Sequence, residues 1–380
     1  MQERVPLPLN RFDRMEWAGA FGDLGTLIPF VAGYIGVLKM DPFGIFFAFG
    51  LSMILCGAYY KTPFPVQPMK AIAAVAITQT AVITPTAVYA ACLVTGLIWL
   101  LLGVTGAVGR IARFVPRPVV VGIILGLGMS LMLQGVKMMA THWVIAAVSL
   151  VGTLLLLKKR TVPAMFVLLL FGAICGAILN HEVVHELMAG SIHVAIPHFA
   201  LLDITPGALF NGILLLALPQ LPLTLGNAVI AVREENNRLF PDRSVTERSV
   251  AISTGLMNLS SAALGGVPMC HGAGGMAGHV TFGARTGGAL VILGSSFLVL
   301  AMFFSGSVHA LFKLFPAAVL GVLLFFSGAQ LALGARDFGG DNGQRFVAVM
   351  TAALAMWNVG VAFLAGMAGH YVFKRSWLKI

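Results

Sequence analysis

Apolar positions along this chain run together in long blocks, separated by short polar clusters rich in arginine, lysine, glycine and proline. A helix crossing the hydrocarbon core of a bilayer needs about 20 such residues, and backbone at that depth must satisfy its own hydrogen bonds. The blocks predict helices over 17–36, 42–59, 66–81, 86–108, 118–135, 142–157 and 162–179, and again over 207–231, 246–264, 268–281, 285–306, 316–333, 343–357 and 358–373. A polar stretch at 180–206 divides these fourteen segments into two sets of seven. A transmembrane barrel would instead read as alternating segments of roughly ten residues.

Composition then fixes the solvent. Of 380 residues, 58% are hydrophobic and 10% are charged, against about 25% charged in a soluble domain. Lipid must therefore cover much of the surface, and a soluble enzyme or a disordered chain is excluded. The net charge of +10 does not indicate nucleic acid, because the basic residues sit between apolar blocks. Lysine and arginine accumulate on the cytoplasmic side of a membrane. With the N-terminus inside, twenty of the 24 basic residues fall on the cytoplasmic side, only Lys39, Lys137 and Lys313 fall outside, and Lys70 lies within a span. The expectation is fourteen spans with both termini cytoplasmic in the cell membrane. The first sixteen residues carry Arg4, Arg11, Arg14 and three acidic residues with no apolar run, so no signal peptide is expected there. Cys56, Cys92, Cys175 and Cys270 are scattered and form no CxxC pair, so neither a disulfide framework nor a zinc knuckle is expected.

The two sets resemble each other. A shift of 200 positions lays Pro68-Met69 on Pro268-Met269, Pro116 on Pro316, Val119 on Val319 and Gly128 on Gly328. Seven spans per set is an odd number, so the second set is inverted relative to the first. Inverted repeats are a hallmark of secondary transporters, whose sites form where corresponding spans are short and broken by proline or glycine. Two such segments exist, Pro63 to Ala74 and Gly265 to His279. Pro68 and Pro268 each suit the start of a helix, which would leave the N–H groups of Met69, Lys70 and Ala71, and of Met269, Cys270 and His271, aimed at the membrane centre. Two facing helix N-termini make a donor-rich, positive cavity for an anion. Lys70 adds a full charge at a depth where a functional role is the default, and its bland alternative is a structural salt bridge with Asp23. Thr26, Gln67, Gln220, Thr224 and Asn227 stand near the breaks in sequence and offer further hydroxyls and amides; each also has an ordinary role in bonding helices together. Asp23 is the one carboxylate well inside a span, open to roles as proton carrier, Lys70 partner or backbone cap. His271 is a second group able to titrate near neutrality.

One motif points elsewhere. His181-Glu182-Val183-Val184-His185 fits HExxH, in which two histidines bind zinc and the glutamate acts as general base. His193, His198 and Asp203 lie nearby. A membrane zinc metalloprotease is thus the rival from another class, but the motif falls in the polar connector and leaves the duplicated frame unexplained. A solvated surface helix is the expected reading, with no metal and no cofactor.

At FGDLGTLIPF (21–30), PFPVQPMKAIAA (63–74), PQLPLTLGNAVIAV (219–232) and GGVPMCHGAGGMAGHVTFGARTGG (265–288) the chain resembles the molybdate transporter family, a relative of the sulfate permeases. The resemblance implies an all-α polytopic fold of two inverted seven-span repeats, 1–179 and 207–380, joined by an extracytoplasmic connector at 180–206. It implies a core domain (14–109 plus 207–309) carrying the substrate and a gate domain (110–179 plus 310–380), moving as an elevator, often in a homodimer. Carried onto this sequence, the substrate site falls on Thr26, Gln67, Met69, Lys70, Thr224, Asn227, Cys270, His271 and Gly272. The implied substrate is molybdate, with sulfate or tungstate as related oxyanions and a broader oxyanion permease as the alternative. Typical sulfate permeases carry a cytoplasmic regulatory domain, and none is expected after Ile380. No GxxxxGK[ST] loop occurs, so an ion gradient should drive transport; a proton is the expected coupling ion, through Asp23 or His271.

Overall fold

The computed structural model describes residues 10–108, 116–156, 164–188, 196–333, 335 and 341–375. All fourteen apolar segments contain helix. In the first half these are α1 (Arg14–Ala20), α2 (Leu24–Gly36), α3 (Pro42–Tyr60), α4 (Lys70–Thr78), α5 (Pro85–Thr105), α6 (Arg117–Met139), α7 (Trp143–Leu156) and α8 (Ala164–Leu179). A short α9 (His181–Met188) follows. The second half holds α10 (Pro206–Leu239), α11 (Glu247–Ala263), α12 (Ala273–Thr281), α13 (Gly288–Leu314), α14 (Ala317–Leu333), α15 (Asn342–Trp357) and α16 (Val359–Lys374). By length and composition α3, α5, α6, α10 and the Gly288–Val308 part of α13 each suffice to cross a membrane, and α1 with α2 forms a bent sixth. Apolar side chains such as Leu101, Val144, Leu155 and Leu364 are exposed around the bundle, as a surface solvated by lipid requires.

Local chemistry explains the ends and bends. Asp41 and Thr84 accept from backbone N–H groups ahead of proline-initiated α3 and α5, the preferred start of a helix. Between α1 and α2 the chain tightens into a single 3₁₀ turn at Phe21–Asp23. α10 contains Pro219 and Pro222, which cannot donate to the preceding turn. It widens into π turns at Gly212–Ala217 and Thr224–Ala231, a distortion often found at functional sites.

Packing pairs elements of one half with elements of the other. α3 lies on α13 and α5 on α11, while α6 lies on α14. The last pair meets through glycines: a Cβ at Gly128 would stand 2.7 Å from the Gly328 carbonyl, and one at Gly328 would stand 2.5 Å from the Gly128 carbonyl. These are the two glycines that the 200-residue shift superimposes. Without side chains there, the two backbones approach closely, the usual device of membrane helices.

Two short helices are set apart. α4 and α12 each follow a two-residue strand, β1 (Gln67–Pro68) and β2 (Met269–Cys270), and the strands pair antiparallel with Gln67 opposite Cys270 and Pro68 opposite Met269. The two broken segments of the sequence therefore touch inside the bundle, each with a helix N-terminus at the contact.

Candidate functional site

The breaks are built differently from the sequence expectation of open N–H groups. At the first, the Met69 N–H donates to the Pro268 carbonyl at 2.8 Å. The Ala71 and Ile72 N–H groups donate to Gln220 Oε1 at 2.9 and 3.3 Å. Gln220 thus caps α4 from the π-distorted α10. Its own Nε2 donates to Thr224 Oγ1 at 2.9 Å, so the Thr224 hydroxyl accepts there and keeps its hydrogen for another partner. At the second break, Asn258 on α11 grips Met269 from both sides: Oδ1 accepts from its N–H at 2.9 Å and Nδ2 donates to its carbonyl at 2.6 Å. Beyond it, among the described residues, no side chain caps the N–H of Gly272, Ala273 or Gly274 at the start of α12. Gly274 is exposed with open space where a Cβ would be.

Between the breaks lies a buried polar pair. Gln67 Nε2 donates to Asp23 Oδ1 and Oδ2 at 2.6 and 2.8 Å, with Asp23 5% and Gln67 0% exposed. The pair fits because α12 has a glycine beside it: a Cβ at Gly275 would stand 2.6 Å from both Asp23 Oδ2 and Gln67 Nε2. Gln67 Oε1 has no hydrogen-bond partner. It points at Gly272, where a Cβ would collide with it, and the Asn227 amide nitrogen is 3.6 Å from that same point. The Thr26 hydroxyl lies beside Asp23, and Lys70 and His279 are near enough to act on it electrostatically.

Of the expected site residues, Thr26, Gln67, Lys70, Asn227 and Gly272, together with the Met69 and Cys270 backbones, gather at this junction. Lys70 is half-buried. Among the described residues it makes no ion pair with Asp23, whose carboxylate is held by Gln67 instead. Thr224 lies one step back, bonded to Gln220. The His271 side chain is committed elsewhere. Its Nδ1 donates to the Pro65 carbonyl at 2.7 Å and its Nε2 accepts from the Ser253 hydroxyl at 2.7 Å. Its ring packs edge-on against Phe64 and Tyr60. Ser253 and Tyr60 line a separate cavity of about 710 Å³ between α3 and α11.

Several polar residues that the sequence did not single out for the site hold it in shape. Asn258 is one. His279 is fully buried, donates from Nδ1 to the Gly19 carbonyl at 2.8 Å, and leaves Nε2 without a partner. Glu16, also fully buried, accepts from the N–H groups of Arg285, Thr286 and Ala289, tying α1 to the start of α13. His181 and His185 are exposed on α9, His198 pairs with Asp203 at 2.7 Å, and His193 lies outside the described residues. Among the described residues no group of three potential ligands could hold a metal.

Solved structures with this fold include anion transporters. The chain is similar to the transmembrane domain of the cyanobacterial bicarbonate transporter BicA, at 15% identity and a TM-score of 0.66, covering 93% of this chain and 97% of that one. It is similar to murine Slc26a9, described as an anion transporter in the inward-facing state, at 12% identity and a TM-score of 0.67, covering 98% and 70%. Among curated proteins, "Molybdate transporter 1" of Arabidopsis thaliana is 33% identical over 92% of this chain and 85% of its own length. "Molybdate transporter 2" of the same plant is 31% identical over 94% and 87%. The protein is accordingly a multi-pass membrane transporter and not an enzyme. A family model described as "Molybdate transporter of MFS superfamily" matches residues 15–131 and 212–331, and with the plant relatives it establishes that this chain belongs to the molybdate transporter family.

Proposed function

We propose that the protein is a secondary transporter that carries molybdate across the cytoplasmic membrane, binding it at the junction of the two helix breaks. The observation that carries this reading is the pairing of β1 with β2, which brings the starts of α4 and α12 together beside the half-buried Lys70. A tetrahedral dianion meets there the Lys70 ammonium, the uncapped N–H groups at the start of α12, the Thr26 hydroxyl and the Asn227 amide, with Thr224 one step back behind them on Gln220. Helix N-termini and neutral donors favour an anion without the excess charge that would prevent its release.

The reading extends to mechanism. The fourteen segments cross the membrane as two inverted repeats with both termini cytoplasmic. The cross-half packing of α3 with α13 and α5 with α11, against that of α6 with α14, supports a division into a core (14–109 plus 207–309) and a gate (110–179 plus 310–380). The core moves against the gate as an elevator, in a homodimer, driven by a proton gradient. Of the two coupling candidates, Asp23 touches the junction, whereas both His271 ring nitrogens are engaged with Pro65 and Ser253.

Selectivity is tested by uptake of labelled molybdate into proteoliposomes with and without excess unlabelled sulfate. Saturable uptake that sulfate barely suppresses is expected. Suppression by sulfate at matching concentration would make the protein a broader oxyanion permease.

A further inference from the structure

The Asp23–Gln67 pair has a chemical property that follows from its two ends. A carboxylate only accepts hydrogen bonds, so an ionised Asp23 can be met by the Gln67 amide only through its N–H₂ group. That is the observed arrangement, with Nε2 at 2.6 and 2.8 Å from the two carboxylate oxygens. It forces the other end of the amide, the acceptor Oε1, toward Gly272 and Asn227, where it has no partner although it is fully buried. A buried acceptor left unpaired costs about 1–3 kcal/mol. Here it also presents partial negative charge at the place where the uncapped start of α12 and the Asn227 amide would receive an anion.

We propose that Asp23 is the binding site of the coupling proton and that Gln67 is the residue that makes anion binding depend on it. One proton taken from solution onto an Asp23 oxygen turns that oxygen into a donor. The Gln67 amide then rotates by half a turn about its terminal C–C bond, so that Oε1 accepts from the Asp23 hydroxyl. Nε2 is carried round to Gly272 and donates to the bound oxyanion. No other bond changes. The junction loses one negative charge and exchanges an acceptor for a donor, so proton and anion stabilise each other's binding by the same factor. Gly272 and Gly275 are the positions that leave room for the amide, since a Cβ at either would collide with it or stand 2.6 Å from it. The other titratable groups facing Asp23 are Lys70 on α4, Cys270 on β2 and His279 on α12. The first two sit at the anion junction. His279, with Nδ1 held by Gly19 and Nε2 free, flanks Asp23 from the same face of α12 as Gly275, one turn on.

This assignment rests on the reading of the junction as a molybdate site, and calorimetry on the detergent-purified protein separates the two. Molybdate is titrated between pH 6 and 8.5 in pairs of buffers that differ in ionisation enthalpy, which counts the protons taken up on binding. For the unaltered protein the expectation is close to one proton per molybdate at the alkaline end, with affinity falling about tenfold per pH unit there. Asp23→Asn mimics the protonated acid and should bind molybdate with no proton uptake and no pH dependence. Gln67→Leu should weaken binding at every pH. Molybdate binding without proton uptake in the unaltered protein, or undiminished uptake in Asp23→Asn, would overturn the assignment while leaving the anion site standing. No molybdate binding at any pH would overturn the site itself, and the assignment with it.

Discussion

The two helix breaks align in sequence and pair in space, yet they are finished in opposite ways. The first is closed: Gln220 reaches from α10 to cap the start of α4, and the charge there comes from a side chain, Lys70. The second is clamped by Asn258 at Met269, three residues before the Gly272 N-cap, and then left open, with Gly272 and Gly274 at an uncapped α12. Two segments that align at a shift of 200 positions thus end as one break capped by a distant side chain and one left uncapped. An anion held between them would see a fixed ammonium on one side and free backbone donors on the other. Because the pair is asymmetric, neighbouring substitutions should have very unequal effects.

The largest is expected at Gly275. Alanine there would stand 2.6 Å from both Asp23 Oδ2 and Gln67 Nε2 and should break the pair, lowering molybdate affinity by about tenfold or more, the scale of one charge-assisted hydrogen bond. Isothermal titration checks this, and unchanged affinity would mean that the pair does not serve the site. Next comes Gln220→Leu, which leaves the Ala71 and Ile72 N–H groups without an acceptor and should destabilise the protein by about 1–3 kcal/mol. Thermal unfolding in detergent should record a lower midpoint; an unshifted midpoint would show that the first break does not depend on its cap. Gly274→Ala, one residue before Gly275, enters open space and should leave folding close to normal, with a smaller loss of affinity than Gly275→Ala. Loss equal to that of Gly275→Ala would erase the distinction between the two positions. The smallest effect is expected far from both breaks: replacing His181 and His185 together on the exposed α9 should leave uptake unchanged, and a large loss would revive a metal site in the connector.

Much of this arrangement is legible in the amino-acid order because lipid imposes a simple rule on it. Long apolar blocks mark the helices, and the paired prolines at 68 and 268 mark both breaks. Lys70, Asp23 and Gln67 stand out as polar residues where burial is costly. What the order does not reveal is where side chains from distant helices arrive. Gln220 reaches α4 across 149 residues of sequence, from a helix whose phase is reset by its proline and π turns, so its direction is not readable from spacing. Asn258 and Glu16 look like ordinary polar residues at the ends or faces of helices, and only the fold turns them toward the backbone of a break or of α13. His271 carries the opposite lesson. Its position at the second break suggested a site residue, but its side chain turns away into the α3–α11 contact, while His279, eight residues on, faces Asp23. For His279 a signal existed, a histidine four residues after Gly275 on the same short helix, but it needed the helix to begin at Ala273.

Molybdate bound at the paired breaks is carried across the membrane from there in the proposed mechanism. The most direct test is uptake of labelled molybdate into proteoliposomes bearing an inward proton gradient, with the unaltered protein compared to Lys70→Ala at equal folded density. Saturable uptake by the unaltered protein and its near abolition in Lys70→Ala is the result predicted. Equal uptake by the two proteins, or none by either, would contradict it.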